Sequence, residues 1–430
     1  MHHETTRRPV AEHAEMVAAL VGRALAVGRR RRTTAEPAVL LTAAAGARWA
    51  PRVLARDATA VVDLPGFDNS QMDGYAVRAA DLVAAVAGAP AELRVVAPVP
   101  AGTQPPPLPP GSAAPVMTGA PIPAGADAVV KIEDADPPQF PSFEDSRATV
   151  RFHASVVPGS FVRRRGSDVG TGDVVVHAGT PLGAAQLGVL VAAGVDTIEL
   201  AAPPHVLLLS TGSELVPAGG PLGDAQVYDA NGAALAAGLA TVGARVTHRV
   251  VPDDPAALRR VLAEAPDDVA LVVTSGGVSA GAYEVVRQTL TDAWFGHVAV
   301  QPGGPQGLGT VALGDPAAPR EAPLVAFPGN PVSALVSFEL FLRPALAAAT
   351  GAAPAHRAGG RAPLAEPLDS PPALHQVRRG RLDDRGRVVM VGGPGSHLLA
   401  HLAAATLLVH VPPGVAHLEE GDDIDYWEIR

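Results

Sequence analysis

Residues 205–215 read HVLLLSTGSEL, an apolar run of strand length that stops in a Thr-Gly-Ser turn. After an alanine-rich helical segment come the strand ARVTHRVV (244–251) and the helical segment DDPAALRRVLAEA (253–265). Two further strand-to-helix units follow, VALVVTSGGVS (269–279) and LVAFPGNPVSALVSFELFLRPAL (324–346). Strands that alternate with helices in this way predict a doubly wound parallel sheet.

The sequence on either side of this unit is typical of β structure. From Arg52 to Val150, segments such as ELRVVAPV and ADAVVKIED alternate apolar and polar residues between Pro and Gly breaks. After Pro354 short β-like segments return up to the C-terminal GDDIDYWEIR. Residues 39–47 fit a short alanine-rich helix. The predicted fold class is therefore multidomain, with an α/β domain between an N-terminal β domain and a small C-terminal β domain.

Composition argues against several classes of protein. The net charge is −10, whereas general nucleic-acid binding needs a basic face. The chain has no cysteine, and therefore neither a disulfide framework nor a thiolate metal site. Hydrophobic residues make up 47% of the 430 residues, enough for a large core. No apolar run approaches the roughly 18 residues of a membrane helix. We expect a globular, cytoplasmic protein without membrane contact.

Three loops of the α/β unit place Gly and hydroxyl residues directly between a strand and a helix. We name them the TGSE loop (211–214), the SGGVS loop (275–279) and the PGNPVS loop (328–333). Glycine lets a backbone approach an anion, and a helix N-terminus offers free N–H groups. One such loop needs glycine for its geometry alone, but three at neighbouring strand ends favour phosphate or oxyanion binding. The candidate contacts are Ser210, Thr211, Gly212, Ser213, Ser275, Gly276, Gly277, Ser279, Pro328, Gly329, Asn330 and Ser333.

Polar clusters elsewhere in the chain are ambiguous when each is taken alone. DNSQMDGYAV (68–77) is too polar for a core strand and too specific for a surface loop. RRRGSD (163–168) fits either a phosphate-binding arginine cluster or a salt-bridged surface turn. Asp253 and Asp254 precede a proline at a helix start, and capping explains one of them more readily than both. MTGAP (117–121) alone indicates only a loop.

Six motifs occur in one order along the chain: FDNSQMDGYAVR, MTGAPIPAGADAVV, RRRGSDV, STGSEL, SGGVSAG and FPGNPVSALVSFELF. In this order and rough spacing they resemble the molybdopterin molybdenumtransferase family, which includes the gephyrin E domain. The resemblance covers residue 39 to the C-terminus. It implies an elongated chain with a composite helical domain (1–50 with 165–202), a β domain (51–164), an α/β domain for pterin and molybdate (203–351) and a C-terminal β-barrel (355–430).

The resemblance also implies an activity. The family inserts molybdenum from molybdate into adenylylated molybdopterin and releases AMP, assisted by a divalent ion, usually Mg²⁺. It acts as a homodimer with the active site between subunits, and a molybdopterin adenylyltransferase is the implied partner enzyme. The positions that match the family's catalytic residues are Asp73, Thr118, Asp168, Glu214 and Asp253. Of these, Glu214 and Asp253 are the expected Mg²⁺ ligands. Ser333 matches an oxyanion contact, and Pro302 and Gly303 match further substrate contacts.

This sequence departs from the family's pattern at several of these loops. Ser213 replaces a carboxylate of the family's TGDEL motif, and Glu284 stands where an aspartate usually follows the SGGVS loop. Three lysines of the family are also missing, and their positions are occupied by His297, Gln301 and Gly304. The loss of cationic side chains predicts weaker anion binding, with Arg379 as a candidate for compensation.

Two alternatives to an active insertase remain. The missing lysines fit a pterin-binding paralogue with weak or no insertase activity, whereas the retained carboxylates oppose that interpretation. A molybdopterin adenylyltransferase shares the central α/β domain, but that enzyme consists of this domain alone, so the flanking β domains argue against it.

Overall fold

The computed structural model describes most of the chain. The predicted helix at 39–47 lies outside the described residues, as does nearly all of the arginine run that precedes it. The described residues are 7–28, 32–35, 52–86, 88–100, 102–142, 147–279 and 284–429.

The N-terminal region is mainly β structure. Its largest sheet has the order β7-β4-β6-β5-β9-β8, and three strand pairs (β1 with β12, β2 with β11, β3 with β10) lie beside it. The elements are α1 (Val10–Gly28), β1 (Arg32–Ala35), β2 (Ala58–Thr59), β3 (Asn69–Ser70), β4 (Gly74–Val77), β5 (Ala91–Val95), β6 (Ser112–Val116), β7 (Ala128–Lys131), β8 (Ala135–Asp136), β9 (Thr149–Phe152), β10 (Val162–Arg163), β11 (Val174–Val176), α2 (Ala184–Ala192) and β12 (Ile198–Ala201).

The central domain is the predicted doubly wound sheet. Its order is β16-β13-β17-β21-β20-β18; the first four strands are parallel, and β20 and β18 continue antiparallel. The elements are β13 (His205–Thr211), β14 (Leu215–Val216), β15 (Val227–Tyr228), α3 (Ala230–Thr241), β16 (Arg245–Val251), α4 (Pro255–Ala263), β17 (Val269–Ser275), α5 (Val285–Thr289), β18 (Trp294–His297), β19 (Val300–Gln301), β20 (Pro305–Leu313), β21 (Arg320–Phe327), α6 (Pro331–Ser337) and α7 (Arg343–Thr350).

Both faces of this sheet are buried. Along β13, Leu208 belongs to one apolar cluster, whereas Leu207 and Leu209 belong to another. Because side chains alternate across a strand, the two clusters lie on opposite faces. A parallel sheet covered on both faces needs apolar residues at nearly every position, which explains the continuous run VLLL.

The C-terminal region is a small β domain attached to the central one. Strand β19 of the central segment pairs in parallel with β24 and so fastens the two regions together. The strands follow the order β19-β24-β26-β28-β22, and β25 pairs with β24. The elements are β22 (Gly359–Pro363), β23 (Leu368–Asp369), β24 (His375–Leu382), β25 (Val388–Met390), α8 (Leu399–Ala404), β26 (Leu407–Val411), β27 (His417–Leu418) and β28 (Asp423–Glu428).

Helix α1 packs on the central domain. Val17, Val21 and Leu25 repeat every four residues, are almost fully buried and share a cluster with Leu208 and Phe341. Strand β1, only a few residues later, pairs with β12 in the N-terminal region. The residues predicted to form one composite domain are therefore divided, since the apolar stripe of α1 completes the central core.

The helix Pro331–Thr350, which comprises α6, a π-helical turn at Phe338–Leu342 and α7, corrects one expectation from the sequence. It is long and apolar enough to cross a membrane, although Glu339 and Arg343 interrupt the apolar run. In this fold 72% of its apolar window is buried inside the protein, so it serves as a core helix.

Candidate active site

The three glycine loops meet at the carboxyl ends of β13, β17 and β21. Gly276 N donates to Phe327 O at 3.0 Å, and Thr211 Oγ1 donates to Ser275 O at 3.4 Å. A Cβ on Gly276 would lie 2.6 Å from Thr211 O, and one on Gly329 would lie 3.4 Å from Gly276 Cα. Glycine is therefore required where the SGGVS loop passes between the other two. Ligands of open α/β sheets bind at this edge.

Asn231, which was not among the predicted site residues, connects two of these loops. Its Nδ2 donates to Ser275 Oγ at 2.8 Å and to Gly329 O at 2.7 Å. Asn231 lies in the first turn of α3. Its position in the turn capped by Asp229 was the available signal, but only the fold shows that this turn reaches the loops.

Asp229, His248 and Ser210 form a second polar group at the same edge of the sheet, and Asp229 and His248 were not predicted from the sequence. Asp229 caps α3 by accepting from Gly232 N at 2.8 Å, and its other oxygen lies 2.9 Å from His248 Nε2. Ser210 Oγ lies 3.0 Å from the same nitrogen. Burial favours the neutral carboxyl of Asp229, but the hydrogen bonds from His248, Gly232 and Ser210 outweigh burial and lower its pKa.

This arrangement changes the role predicted for Ser210. The residue is fully buried and its hydroxyl faces His248, so it supports the TGSE loop from beneath. Thr211 is also nearly buried, whereas Gly276 and Gly277 have φ values of 96° and 67° that favour glycine. At the PGNPVS loop, Asn330 is the residue before α6, Pro331 occupies its first turn and Ser333 is buried within it.

Two carboxylates lie at the TGSE loop, that of Glu214 within it and that of Asp253 bonded to it. Asp253 Oδ2 accepts from Ser213 N at 3.0 Å, whereas its neighbour Asp254 caps α4 through Ala256 N and Ala257 N. Glu214 folds its exposed carboxylate over Gly212, whose Cβ would lie 2.6 Å from Glu214 Oε2. Asp254 therefore caps the helix α4, whereas Asp253 is available to the site.

These carboxylates suit Mg²⁺, which prefers oxygen ligands and is usually held by one or two protein carboxylates plus substrate phosphates. Among the described residues there is no group of three or more His, Asp or Glu side chains that would hold a metal without such a substrate. The donor set of Glu214 and Asp253 fits an ion that arrives with, or is completed by, a phosphate-bearing substrate.

Residues 302–304, the PGG loop, pack against the start of the helix Pro331–Thr350. Gln306 Nε2 donates to Gly303 O and to Ser337 Oγ, both at 2.7 Å. A Cβ on Gly303 would lie 2.9 Å from Ser337 Oγ and 3.4 Å from Ser333 O. Pro302 and Gly303 are buried in this contact, and Gly304 is half-buried.

Arg379, the candidate for compensation, is almost fully buried in the C-terminal domain. It is 1% exposed, and its guanidinium donates to Gly393 O. Burial lowers its pKa, and the neighbouring Arg378 adds to that effect. An arginine enclosed in this way is poorly placed to meet a ligand that arrives from solvent.

In the N-terminal region, Asp73 and Thr118 form a close pair. Thr118 N and Thr118 Oγ1 both donate to Asp73 Oδ1, at 2.6 and 2.9 Å. These bonds from the Thr118 backbone and hydroxyl lower the pKa of the exposed Asp73 carboxyl. The MDGY and MTGAP motifs, distant in sequence, therefore build one exposed anionic site.

The arginines of RRRGSD form a salt-bridged turn in this structure. Arg164 pairs with Asp68 at 2.7 Å, Arg165 pairs with Asp63 at 2.5 Å, and Arg163 donates to Asn69 at 3.1 Å. The alternative interpretation as a free phosphate-binding cluster is not supported. Asp168, at the end of the same turn, is exposed.

The polar DNSQMDGY segment finds its partners within its own chain. Asn69 donates to Phe67 O and Ser70 donates to Met72 O, in addition to the Asp73–Thr118 pair. The polarity of this segment therefore needs no facing subunit to explain it. In the part of the chain that the structure describes, no hydrogen bond or ion pair joins Asp73, Thr118 or Asp168 to Glu214, Asp253 or Ser333.

Comparison with known proteins identifies the family. Three family models match consecutive parts of the chain: MoeA N-terminal region (domain I and II) at 8–194, probable molybdopterin binding domain at 207–348, and MoeA C-terminal region (domain IV) at 361–429. Molybdopterin molybdenumtransferase 2 of Mycobacterium tuberculosis is 40% identical over 389 residues, 88% of this chain and 92% of that protein. This chain belongs to the molybdopterin molybdenumtransferase family.

Other members of the family agree. The molybdopterin molybdenumtransferase of Synechococcus elongatus is 35% identical over 384 residues, 87% of this chain and 91% of that protein. The solved structure of a molybdopterin biosynthesis moea protein from Pyrococcus horikosii has a TM-score of 0.77 at 27% identity, and the match covers 99% of this chain and 100% of that one. The resemblance, the fold class and the expectation of a transferase are thereby confirmed.

Proposed function

We propose that this protein inserts molybdenum from molybdate into adenylylated molybdopterin and releases AMP. Insertion of molybdenum into molybdopterin is what the names of its relatives indicate. The adenylylated substrate and the release of AMP are the finer part of the proposal. The observation that carries it is the junction of the three glycine loops beside the carboxylates of Glu214 and Asp253.

The glycine loops suit the anionic parts of such a substrate. Gly276 and Gly277 adopt the positive φ values that let the SGGVS loop pass between its neighbours, and Asn231 holds this loop against the PGNPVS loop. The helix Pro331–Thr350 starts at that loop, and the positive end of its dipole favours phosphate or molybdate there. These groups bind and orient the substrate.

The carboxylates suit the metal-dependent part of the reaction. Glu214 and Asp253 would hold Mg²⁺, and the ion would stabilise negative charge on the adenylate phosphates during cleavage. Ser213 fixes one oxygen of Asp253, which keeps that carboxylate directed to the TGSE loop. Asp73, with its proton affinity reduced by Thr118, is an ionised carboxylate at neutral pH.

We also propose a homodimer in which Asp73, Thr118 and Asp168 of one copy complete the site formed by Glu214, Asp253 and Ser333 of the other. Support comes from the family resemblance and from the absence, within the described parts of one chain, of any bond between the two sets. A molybdopterin adenylyltransferase is the proposed source of the substrate.

A pterin-binding paralogue is the second candidate, favoured by the residues His297, Gln301 and Gly304 in place of lysines. Gln301 Oε1 accepts from Gln376 Nε2 at 2.7 Å, so this side chain bonds across the junction between the central and C-terminal domains. The retained carboxylates and the intact loop junction favour the active enzyme.

One assay separates the candidates. The purified protein is incubated with adenylylated molybdopterin, molybdate and Mg²⁺. Release of AMP supports the insertase, and pterin binding without AMP release supports the paralogue. Consumption of ATP with free molybdopterin would instead indicate an adenylyltransferase and contradict the proposal.

A further inference from the structure

The N-terminal arm, residues 7–9, lies as a short parallel strand beside residues 297–299. Arg8 N donates to His297 O and Ala299 N donates to Arg8 O, both at 2.8 Å, and Arg8 pairs with Val298. The arm therefore borders the segment in which the family's lysines are missing.

The arm is held by its second arginine. The Arg8 guanidinium stacks 3.4 Å over the Trp294 ring and lies 3.3 Å from His13 Nδ1. Its side chain is only 13% exposed, and a weaker ion pair joins it to Glu12 at 3.7 Å. A cation enclosed by a tryptophan and a buried histidine fixes the position of the residues next to it.

The register of this pair determines where Arg7 lies. Partners in a parallel bridge point to the same face, so Arg8 shares a face with the buried Val298. Arg7 consequently shares the opposite face with His297, and both residues are exposed. Adjacent strands are about 5 Å apart, well within the reach of an arginine side chain.

The same face adjoins the PGG loop. Val298 N donates to Gly304 O at 2.8 Å, and a Cβ on Gly304 would lie 3.6 Å from His297 Cδ2. The preceding Gly303 packs against Ser333 and Ser337. Arg7 thus lies on the face where His297 and Gly304 replace two cationic residues, and in the described residues it has no hydrogen bond or ion pair.

We propose that Arg7 supplies the positive charge that this face has lost, and that it binds the oxyanion substrate, molybdate, before insertion. The inference rests on the proposed function. A guanidinium offers several N–H donors in a planar fork that matches tetrahedral oxyanions. The charge comes from the N-terminal arm and not from the PGG loop, which explains how the loop tolerates Gly304.

The test is direct binding of molybdate to the full-length protein by calorimetry, together with the KM for molybdate in the AMP-release assay. For Arg7→Gln we expect a Kd and KM about three- to tenfold higher, with kcat unchanged and a weaker dependence of binding on ionic strength. Arg259→Gln, an exposed arginine on α4, is the matched control and leaves binding unchanged.

A rescue variant makes the test specific. Gly304 does not have a left-handed backbone, and its nearest neighbours lie 3.6 Å from a Cβ, so Gly304→Lys fits without strain. We expect Gly304→Lys to restore molybdate affinity in the Arg7→Gln background. Gln301→Lys is a weaker rescue because it breaks the bond to Gln376.

The outcomes separate this inference from the proposed function. Equal molybdate affinity in Arg7→Gln and the unaltered protein, with AMP release intact, would overturn the role of Arg7 alone. Loss of affinity that Gly304→Lys fails to restore would also count against a charge effect at this face. If the unaltered protein neither binds molybdate nor releases AMP, the proposed function fails and the inference with it.

Discussion

Ser213 and Asp253 hold each other through two reciprocal hydrogen bonds. Ser213 N donates to Asp253 Oδ2 and Asp253 N donates to Ser213 Oγ, both at 3.0 Å. Ser213 thereby positions the carboxylate of Asp253. Glu214 and Asp253 are then the two carboxylates at the TGSE loop.

Asp253→Asn should raise the Mg²⁺ concentration needed for half-maximal AMP release by about tenfold, equivalent to ~1.4 kcal/mol of lost ion binding. The amide oxygen still accepts from Ser213 N, so the fold is preserved. The measurement is the initial rate against Mg²⁺ concentration. Asp254→Asn is the matched control, since asparagine caps a helix as well as aspartate does; an unchanged Mg²⁺ dependence in Asp253→Asn would remove Asp253 from the site.

Asn231→Ala should weaken binding of the pterin substrate by about tenfold and destabilise the protein by about 1–3 kcal/mol, because it removes the two side-chain bonds through which Asn231 bridges the SGGVS and PGNPVS loops. Asn231→Asp should be at least as damaging, since it keeps the shape but removes the donors and adds a negative charge. Substrate titration and denaturant unfolding measure the two effects. Unaltered substrate affinity in both variants would show that loop coupling is irrelevant to binding.

The sequence was sufficient to predict the central sheet, because apolar runs, turns and helical periodicity are local signals. It also predicted that three loops meet at one edge, since parallel strands place their carboxyl ends together. It did not predict Asp229, Asn231 or His248, whose importance comes from distances of about 3 Å between residues far apart in the chain.

The position of α1 and the bonding partners of the arginine cluster also could not be predicted from the sequence. Val17, Val21 and Leu25 repeat every four residues, but no buried helix was predicted there, and the spacing does not say which core such a helix joins. RRRGSD has the same composition whether it binds phosphate or pairs with Asp63 and Asp68. In both cases the tertiary partner decides, and local sequence carries no information about that partner.

Stability should fall as the pH is lowered from about 6.5 to 4, in part through His13. Burial, and then the charge of Arg8, lower the pKa of His13 to about 4, so the folded protein keeps it neutral where the unfolded chain takes up a proton. Its contribution is complete above pH 6.5 and is lost on acidification, at up to about 1.4 kcal/mol per pH unit for one proton.

His13→Leu should therefore flatten the dependence of unfolding free energy on pH between 6.5 and 4. The control is His417→Gln: bonding to Asp369 raises the pKa of His417, so its contribution is lost as the pH rises and has the opposite sign. A slope that His13→Leu leaves unchanged would assign the acid sensitivity to other groups.

Assembly is tested by complementation between Asp73→Asn and Glu214→Gln, mixed under conditions that allow subunit exchange. In a site shared across a dimer, each heterodimer has one doubly altered site and one intact site, so activity returns. If each chain holds its own complete site, every site carries one lesion and mixing restores nothing. Failure after proven exchange would place all the functional residues within one chain.

The most direct measurement of the central claim is a single-turnover reaction of the purified protein with adenylylated molybdopterin, Mg²⁺ and varied molybdate, in which AMP and pterin-bound molybdenum are both quantified. The account predicts one AMP for each molybdenum inserted, no insertion without Mg²⁺, and loss of both products in Asp253→Asn under limiting Mg²⁺. Pterin that stays bound and adenylylated, with no AMP at any molybdate concentration, would contradict it.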